Sequence, residues 1–192
     1  MTHLFDVRFR CPSTAILSGP SNSGKTTLVY EILKHARHIF HDPRCIQNVI
    51  FFYKQWQNIY DIMQQELKID FINSVPTIDV LKEKTQEASG DGGSIVIIDD
   101  FMQELTKDVS VLFSTLSHHL NIVVFLMTQN LFSKNPVFRD ISLNATYNII
   151  FKNPRDASQI SYFARQYAPG KTQLIVDMFK RATKKSTFVC RF

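Results

Sequence analysis

A complete glycine-rich loop motif near the amino terminus constrains this chain more than any other feature of its sequence. The motif has the pattern G-x-x-x-x-G-K-T, and it comprises Gly19, Pro20, Ser21, Asn22, Ser23, Gly24, Lys25, Thr26 and Thr27. An apolar run precedes it and residues with helical spacing follow it, which is the strand–loop–helix context that the motif requires. The sequence therefore predicts a Walker A loop between a buried strand and a helix.

The residue types in this loop suit the binding of a phosphate chain. Glycine allows the backbone to approach a phosphate closely, so that several N–H groups point at it, and the following helix N-terminus favours an anion. Lys25 would reach the β- and γ-phosphates of a nucleotide, and the hydroxyl of Thr26 would hold Mg²⁺. We therefore expect residues 19–27 to bind a nucleoside triphosphate together with Mg²⁺.

The order of apolar and helical segments predicts an α/β fold. Hydrophobic residues make up 44% of the 192 residues and charged residues 20%, which is typical of one globular domain over residues 1–192. The predicted strands are Ala15–Ser18, Asn48–Tyr53, Asp70–Ile72, Ser94–Ile98, Ile122–Met127, Tyr147–Phe151 and Thr187–Cys190. The predicted helices are Lys25–His38, Ile59–Leu67, Ile78–Gln86, Val109–His119, Ala157–Gln166 and Thr172–Arg181. Their alternation favours helical layers around a central, mostly parallel sheet.

An apolar run that ends in two carboxylates predicts the second half of the site. The predicted strand Ser94–Ile98 is followed by Asp99 and Asp100, and ligands bind at the carboxyl edge of open α/β sheets. In this Walker B pattern, Asp99 would act on Mg²⁺ through a coordinated water, and Asp100 would orient or activate the attacking water. Glu104 is an alternative base, although an exposed helix carboxylate is the more ordinary interpretation.

A third signal is the buried strand Ile122–Met127, which emerges into Thr128, Gln129 and Asn130. In NTPases that have a strand between the Walker A and Walker B strands, a polar residue at this tip can sense the γ-phosphate. Gln129 is the first choice for this role and Asn130 the second. A strand end that simply turns through asparagine is the alternative.

Basic residues follow the third strand. An arginine that reaches the reacting phosphate accelerates phosphoryl transfer strongly, and such a residue often comes from a neighbouring subunit. Arg139 lies in residues 133–140, which we interpret as a polar loop whose exposure suits that role. Arg155 is the alternative candidate. For either arginine, an ordinary surface charge is an equally good interpretation.

Charge, cysteine content and apolar runs bear on the partners of the chain, the redox state of its cysteines and membrane insertion. The net charge of +5 suits a polyanionic partner, although a solvated surface explains it equally well. Three cysteines without metal-site spacing, at positions 11, 45 and 190, predict reduced thiols rather than a disulfide framework. The sequence contains no run of about 18 apolar residues, so we expect no membrane span.

The motifs together resemble those of a known family. The segments GPSNSGKTT, IVIIDD, FLMTQN and FRDISLNATYNIIFKNPRDASQISYFARQYAP are similar to the poxvirus-type DNA-packaging ATPases of the FtsK–HerA superfamily. The similarity is strongest to the enzymes of Polinton/Maverick-like elements and related double-stranded DNA viruses, and it extends from about Ala15 to Pro169. The resemblance implies a three-layer P-loop NTPase fold of the ASCE or RecA-like type.

The resemblance also implies a function. It suggests a ring of five or six subunits that hydrolyses ATP with Mg²⁺ and pumps double-stranded DNA into a preformed capsid. The residues that match the family's motifs would keep the roles given above, and these are Lys25, Thr26, Asp99, Asp100 and Gln129, with Arg139 as the best match to an arginine acting between subunits. Many members of the wider superfamily have glutamate where this chain has Asp100, whereas the poxvirus-type branch accepts aspartate.

Partners and location follow from the same resemblance. We expect double-stranded DNA, further copies of the chain, and a capsid or portal-like vertex protein as partners. The expected locations are virus assembly sites in the host cytoplasm or nucleus, and the virion itself. Because the chain stops at Phe192, just after the last predicted strand, we expect that a C-terminal tail is missing.

Other classes of protein carry the same glycine loop. A small nucleotide kinase would need an arginine-rich lid, which is not evident here, and would not need Asp100 to activate water. A GTPase would need an Asn/Thr-Lys-x-Asp motif after a strand, and residues 127–130 do not supply it. A helicase or partition-type DNA-translocating ATPase of the same superfamily stays open.

Overall fold

A seven-stranded sheet forms the centre of the computed structural model, which describes residues 8–42, 47–86, 92–154, 158–184 and 188–191. The strands are β1 (Ser13–Ser18), β2 (Asn48–Tyr53), β3 (Asp70–Ile72), β4 (Ser94–Asp99), β5 (Ile122–Thr128), β6 (Tyr147–Ile150) and β7 (Phe188–Arg191). Their order across the sheet is β3-β2-β4-β5-β1-β6-β7. Strand β7 pairs antiparallel with β6, and all other pairings are parallel. The predicted mostly parallel sheet is therefore confirmed.

Helices connect the strands of the sheet. They are α1 (Lys25–Lys34), α2 (Ala36–Ile39), α3 (Asn58–Glu66), α4 (Ile78–Gln86), α5 (Lys107–Val111), α6 (Ser117–His119), α7 (Pro136–Asn144), α8 (Ser158–Tyr167) and α9 (Thr172–Ala182). A π-helical turn, Leu112–Leu116, joins α5 to α6. Parallel strands need such crossover connections, and these leave helices on both faces of the sheet.

The two central strands explain why the sheet is covered on both faces. Every residue of β4 and of β5 is buried. Along β4, Ile95 and Ile97 belong to the core beneath α1, α2 and α3, whereas Val96 and Ile98 belong to the core that includes α5 and α7. Successive side chains of a strand point to opposite faces, so an unbroken apolar run supplies both cores. The predicted three layers are confirmed.

The pair of helices α8 and α9 builds a third, smaller core at the β6 side of the sheet. It contains Ile160, Phe163, Ile175 and Phe179 from the two helices, together with Ile150 from β6. The α9 helix begins after the turn at Gly170, whose φ is 84°. This pair packs beside the part of the sheet that carries the glycine loop.

Helix α7 corrects one prediction. Residues 133–140 were expected to form a polar loop, but Pro136 begins a helix and Arg139 lies on it. The Oδ1 of Asn135 accepts a hydrogen bond of 3.0 Å from the backbone N–H of Val137. An asparagine N-cap followed by proline at the first helical position is a favourable helix start, and the loop interpretation overlooked it.

Two further expectations changed. The helix predicted to run to His38 breaks at His35 into α1 and α2, and the chain after the break pairs with Phe9, whose N–H donates to Ile39 O at 2.9 Å.

Cys11 is disulfide-bonded, so the prediction of a reduced thiol was wrong there. The predicted element starts at Ala157 and Thr187 lie outside the described residues.

None of the helices within the described ranges has the length and apolar character needed to cross a bilayer.

Replacing a buried leucine of the central strand should cost far more stability than replacing an exposed one. Leu126 on β5 is fully buried, whereas Leu143 on α7 is 75% exposed. We expect Leu126→Ala to lower the free energy of unfolding by about 2–5 kcal/mol, because it leaves a cavity in the core. The matched control, Leu143→Ala, should change it by about 0.5 kcal/mol or less. Urea denaturation measures both, and equal losses would contradict the burial described here.

Candidate functional site

The carboxyl ends of β1, β5 and β4 lie side by side at one edge of the sheet. Strand β5 lies between the other two, and the register pairs Ser18 with Thr128 and Asp99 with Met127. The hydroxyl oxygens of Ser18 and Thr128 are 3.0 Å apart, and the N–H of Gly19 donates to the carbonyl of Thr128 at 3.1 Å. The loop after β1 therefore begins beside the tip of β5, and the acidic end of β4 lies on the other side of that tip.

Two glycines allow the loop to take its shape. Gly24 has a φ of 92° directly before α1, a backbone conformation that side chains disfavour. A Cβ at Gly19 would lie 2.5 Å from the Cβ of Phe151, which is too close for any other residue without movement of the backbone. Phe151 is in turn held by its N–H, which donates to Ser18 O at 2.8 Å. The loop thus packs directly against the end of β6.

Lys25 is held beneath the loop. Its Nζ donates to the carbonyl oxygens of Gly19 at 2.7 Å and Pro20 at 2.9 Å. Burial lowers the pKa of Lys25, while the nearby carboxylates of Asp99 and Asp100 act in the opposite direction. The ammonium group therefore lies in a partly dry environment, where its attraction to a negatively charged ligand is stronger than it would be in water.

Asp99, the last residue of β4, is 6% exposed. Its Oδ2 accepts hydrogen bonds from the Tyr60 hydroxyl at 2.5 Å and from Gln57 Nε2 at 3.0 Å. Burial raises the pKa of Asp99, and the hydrogen bond from Tyr60 lowers it. Burial and the neighbouring Asp99 also raise the pKa of the Tyr60 phenol, which keeps that hydroxyl protonated as the donor.

Asp100 and Gln129 meet at the tips of adjacent strands. Gln129 Nε2 donates to Asp100 Oδ1 at 3.0 Å, and both side chains are exposed. Asp100 has a φ of 65°, and strained backbone of this kind is concentrated at functional sites. Asn130, the second choice for the sensing role, accepts a hydrogen bond from Thr128 Oγ1 through its backbone carbonyl at 3.0 Å.

A cavity of about 330 Å³ joins the two predicted halves of the site. The predicted residues that line it are Ser21, Asn22, Lys25, Thr26, Asp99, Asp100 and Gln129. Its other walls are formed by Gln55, Trp56, Gln57, Tyr60, Met127 and Thr128. The structure thus brings together one partly buried ammonium group, two carboxylates, a threonine hydroxyl and a glutamine amide around one space.

The oxygen donors of this cavity fit a magnesium ion. The Thr26 hydroxyl and the Asp99 carboxylate line the same space, and Mg²⁺ prefers oxygen ligands together with retained waters and substrate phosphates. Because both hydrogen bonds to Asp99 end on Oδ2, no donor among the described residues occupies Oδ1. That oxygen is available to a metal or to its coordinated water.

The contribution of Gln57 and Tyr60 could not be seen in the sequence. Tyr60 is fully buried, and its hydroxyl donates to Asp99. The two residues reach the site because β2 lies beside β4, so that the segment after β2 passes next to Asp99. Strand order is not a local property of the sequence, and no spacing signal indicates it.

Arg139 does not line the cavity at Lys25. It is exposed on α7 and lines a separate cavity of about 660 Å³ with Phe132 and Tyr167. Within the described part of the chain, that cavity has no lining residue in common with the site at Lys25. Arg155, the alternative arginine, lies outside the described residues.

Glu104 does not line the cavity at Lys25 as the structure describes it. Its Oε1 is paired with Lys54 Nζ at 2.5 Å, and both side chains are about half exposed. This arrangement agrees with the ordinary interpretation of Glu104 as a surface carboxylate.

Comparison with solved structures identifies the fold. The DNA-packaging ATPase B204 of Sulfolobus turreted icosahedral virus is 16% identical, with a TM-score of 0.56 over 85% of this chain and 86% of that one. The genome-packaging NTPase B204 of Sulfolobus turreted icosahedral virus 2, in complex with ATPγS, gives a TM-score of 0.51 at the same identity and coverage. ATPases 2 and 3 of EssC from Geobacillus thermodenitrificans are 12% identical, with a TM-score of 0.54 over 78% of this chain and 34% of that one.

These similarities concern the fold. No family model matches the chain, and no curated protein matches it by sequence. Together with β5 lying between β1 and β4, the structural similarities show that the chain has the predicted P-loop NTPase fold. The narrower resemblance to Polinton/Maverick-like ATPases stays a prediction.

Adding a methyl group at Gly19 should destabilise the protein more than adding one at Gly170. A Cβ at Gly19 would collide with Phe151, whereas a Cβ at Gly170 would meet open space and cost only the strain of a φ of 84°. We expect Gly170→Ala to lower the free energy of unfolding by about 1 kcal/mol, and Gly19→Ala by about 3 kcal/mol. Urea denaturation compares the two, and a smaller loss for Gly19→Ala would contradict the close packing of the loop on β6.

Proposed function

We propose that this chain is an ATP hydrolase that couples hydrolysis to the movement of double-stranded DNA into a viral capsid. The observation that carries the proposal is the cavity in which Lys25, Thr26, Asp99, Asp100 and Gln129 converge. The fold similarity to the packaging ATPase B204, which extends over 85% of this chain, supports the choice of packaging among the functions of this fold.

The glycine loop would hold the phosphates of ATP. Backbone N–H groups of residues 19–27 and the N-terminus of α1 favour an anion at this position. Lys25 would exchange its hydrogen bonds to Gly19 and Pro20 for contacts with the β- and γ-phosphates. Thr26 and Asp99 would hold Mg²⁺, which when bound neutralises charge on the phosphate oxygens.

The residues that act on the attacking water would be the two that follow β4 and β5, Asp100 and Gln129. Asp100 would accept a hydrogen bond from the attacking water and take its proton, while Gln129 would orient the water or a terminal phosphate oxygen. The 3.0 Å bond between these two side chains supports this assignment, because it keeps both within reach of one water molecule. A positioned base typically contributes about 100-fold to 10,000-fold to the rate.

The proposed motor would act as a ring of five or six copies. Arg139 is exposed on α7 and does not line the cavity at Lys25 of its own chain, so we assign it to the γ-phosphate of a neighbouring subunit. The net charge of +5 suits contact with DNA phosphates. A capsid or portal-like vertex protein would anchor the ring, at assembly sites in the host cytoplasm or nucleus, or in the virion.

The ATPase rate should rise with protein concentration and with duplex DNA. A site completed between subunits is active only when assembled, and a DNA motor hydrolyses faster on its track. We would measure steady-state phosphate release across protein concentration, with and without linear duplex DNA. A rate that is indifferent to both, with phosphate transferred to a nucleoside monophosphate, would contradict the proposal and favour a nucleotide kinase.

The same ATPase assay tests whether Arg139 acts between subunits. Arg139→Ala should fold and bind ATP but lose about 1,000-fold in assembled turnover, since an arginine supplied to the reacting phosphate is worth at least that much. Arg165→Ala is the matched control, because Arg165 is exposed on α8 beside Tyr162 and should turn over normally. Normal assembled turnover of Arg139→Ala would remove Arg139 from the mechanism and direct attention to Arg155.

Binding and chemistry should separate in two further variants. Lys25→Ala should lose nucleotide binding, whereas Asp100→Asn should bind ATP within about threefold of wild type and turn over about 100-fold more slowly. Glu104→Gln is the matched acidic control and should keep full turnover, because Glu104 pairs with Lys54 outside the cavity. Equilibrium ATP binding and single-turnover hydrolysis would be measured for all three. Slow turnover of Glu104→Gln, with normal turnover of Asp100→Asn, would identify Glu104 as the base and leave Asp100 without that role.

A further inference from the structure

We propose that Tyr60 and Gln57 are positioning residues that orient the Asp99 carboxylate for Mg²⁺. The inference rests on the proposed function, in which Asp99 holds the metal. Its basis is that both residues donate to the same carboxylate oxygen, Oδ2, at 2.5 Å and 3.0 Å. Among the described residues no donor contacts Oδ1, so the pair fixes one oxygen and leaves the other to the cavity.

The Tyr60 hydroxyl is held in place by the packing of its ring. Tyr60 is fully buried, and its ring centroid lies 4.9 Å from that of Phe51, 5.5 Å from that of Phe71 and 5.5 Å from that of Trp56. A side chain enclosed in this way has little freedom to rotate, because buried aromatic rings interlock with their neighbours. The hydroxyl is therefore a fixed point against which Asp99 is aligned.

Gln57 adds a second hydrogen bond to the same carboxylate oxygen. It precedes α3 directly, and its exposed side chain lines the cavity. Two hydrogen bonds restrict the rotation of a carboxylate more than one does. Groups that orient metal-binding carboxylates typically change metal affinity by about 10-fold to 100-fold when they are removed.

This arrangement extends the metal site beyond the two sequence motifs. Tyr60 and Gln57 belong to α3 and the residue before it, so the segment after β2 contributes to a site otherwise built from β1, β4 and β5. Trp56 lies in the same segment, lines the cavity and donates from Nε1 to Asp61 Oδ1 at 3.0 Å. It is the only tryptophan of the chain, and its fluorescence can therefore report binding in the cavity.

The test is a titration of Mg²⁺ against the full chain at a fixed concentration of ATPγS, followed by Trp56 fluorescence. We expect Tyr60→Phe to raise the Mg²⁺ midpoint at least about 10-fold, while ATPγS affinity without metal stays within about twofold of wild type. Gln57→Met keeps the length of an exposed side chain and removes its donor, and it should raise the midpoint about 10-fold. This second variant also decides the question if Tyr60→Phe does not fold.

Tyr30→Phe is the matched control. The Tyr30 hydroxyl donates to the exposed carboxylate of Glu66 at 2.6 Å, away from the cavity. The same atom is removed, so the Mg²⁺ midpoint should remain that of the wild type. An equal shift in Tyr30→Phe would overturn the inference, because the effect would then not belong to Asp99.

The remaining outcomes separate the inference from the function on which it rests. If wild-type midpoints depend on Mg²⁺ but Tyr60→Phe and Gln57→Met both stay within twofold of wild type, the positioning role is overturned and the proposed ATPase is untouched. If the wild-type chain binds ATPγS with no response to Mg²⁺, or does not bind it, the proposed function fails, and the inference fails with it.

Discussion

Parallel pairing of β5 with both β1 and β4 is the constraint on which the rest of the structure depends. It aligns Ser18 with Thr128 and Asp99 with Met127, so two motifs that are 75 residues apart, counted from Gly24 to Asp99, end at one edge of the sheet. The burial of β4 and β5 at every residue helps to hold this register, because a slip by one residue would turn each side chain into the other of the two cores and disrupt the packing of both.

The polar cavity at Lys25 costs free energy of folding, because it places charged groups beside the apolar centre of the sheet. Burial disfavours the charge of Lys25 and that of Asp99, and each group partly offsets the cost for the other. One buried charge without a partner would destabilise the folded state far more than these paired opposite charges do. The fold therefore tolerates the cavity because opposite charges and hydrogen bonds from Tyr60 and Gln57 are brought in together.

Local signals in the sequence were sufficient to predict the sheet, and to predict that most residues of the candidate site lie together at one edge of it. The glycine loop, the acids after β4 and Gln129 each adjoin a recognisable apolar strand, and parallel strands place such ends together. Helix α7 was missed because Asn135 and Pro136 were interpreted as loop residues rather than as a helix start. Gln57 and Tyr60 were missed for a deeper reason, since their role depends on β2 lying beside β4, a long-range choice that no short window of sequence records.

The backbone at Asp100 gives a physical reason for an aspartate at this position. With a φ of 65°, the residue sits in left-handed space, where aspartate and asparagine are found more readily than longer side chains, because their short polar groups bond locally. An acid one carbon longer would have to be accommodated by both the turn and the reach to Gln129. The choice between aspartate and glutamate at this point is thus a choice of main-chain geometry, made where the chain leaves the strand.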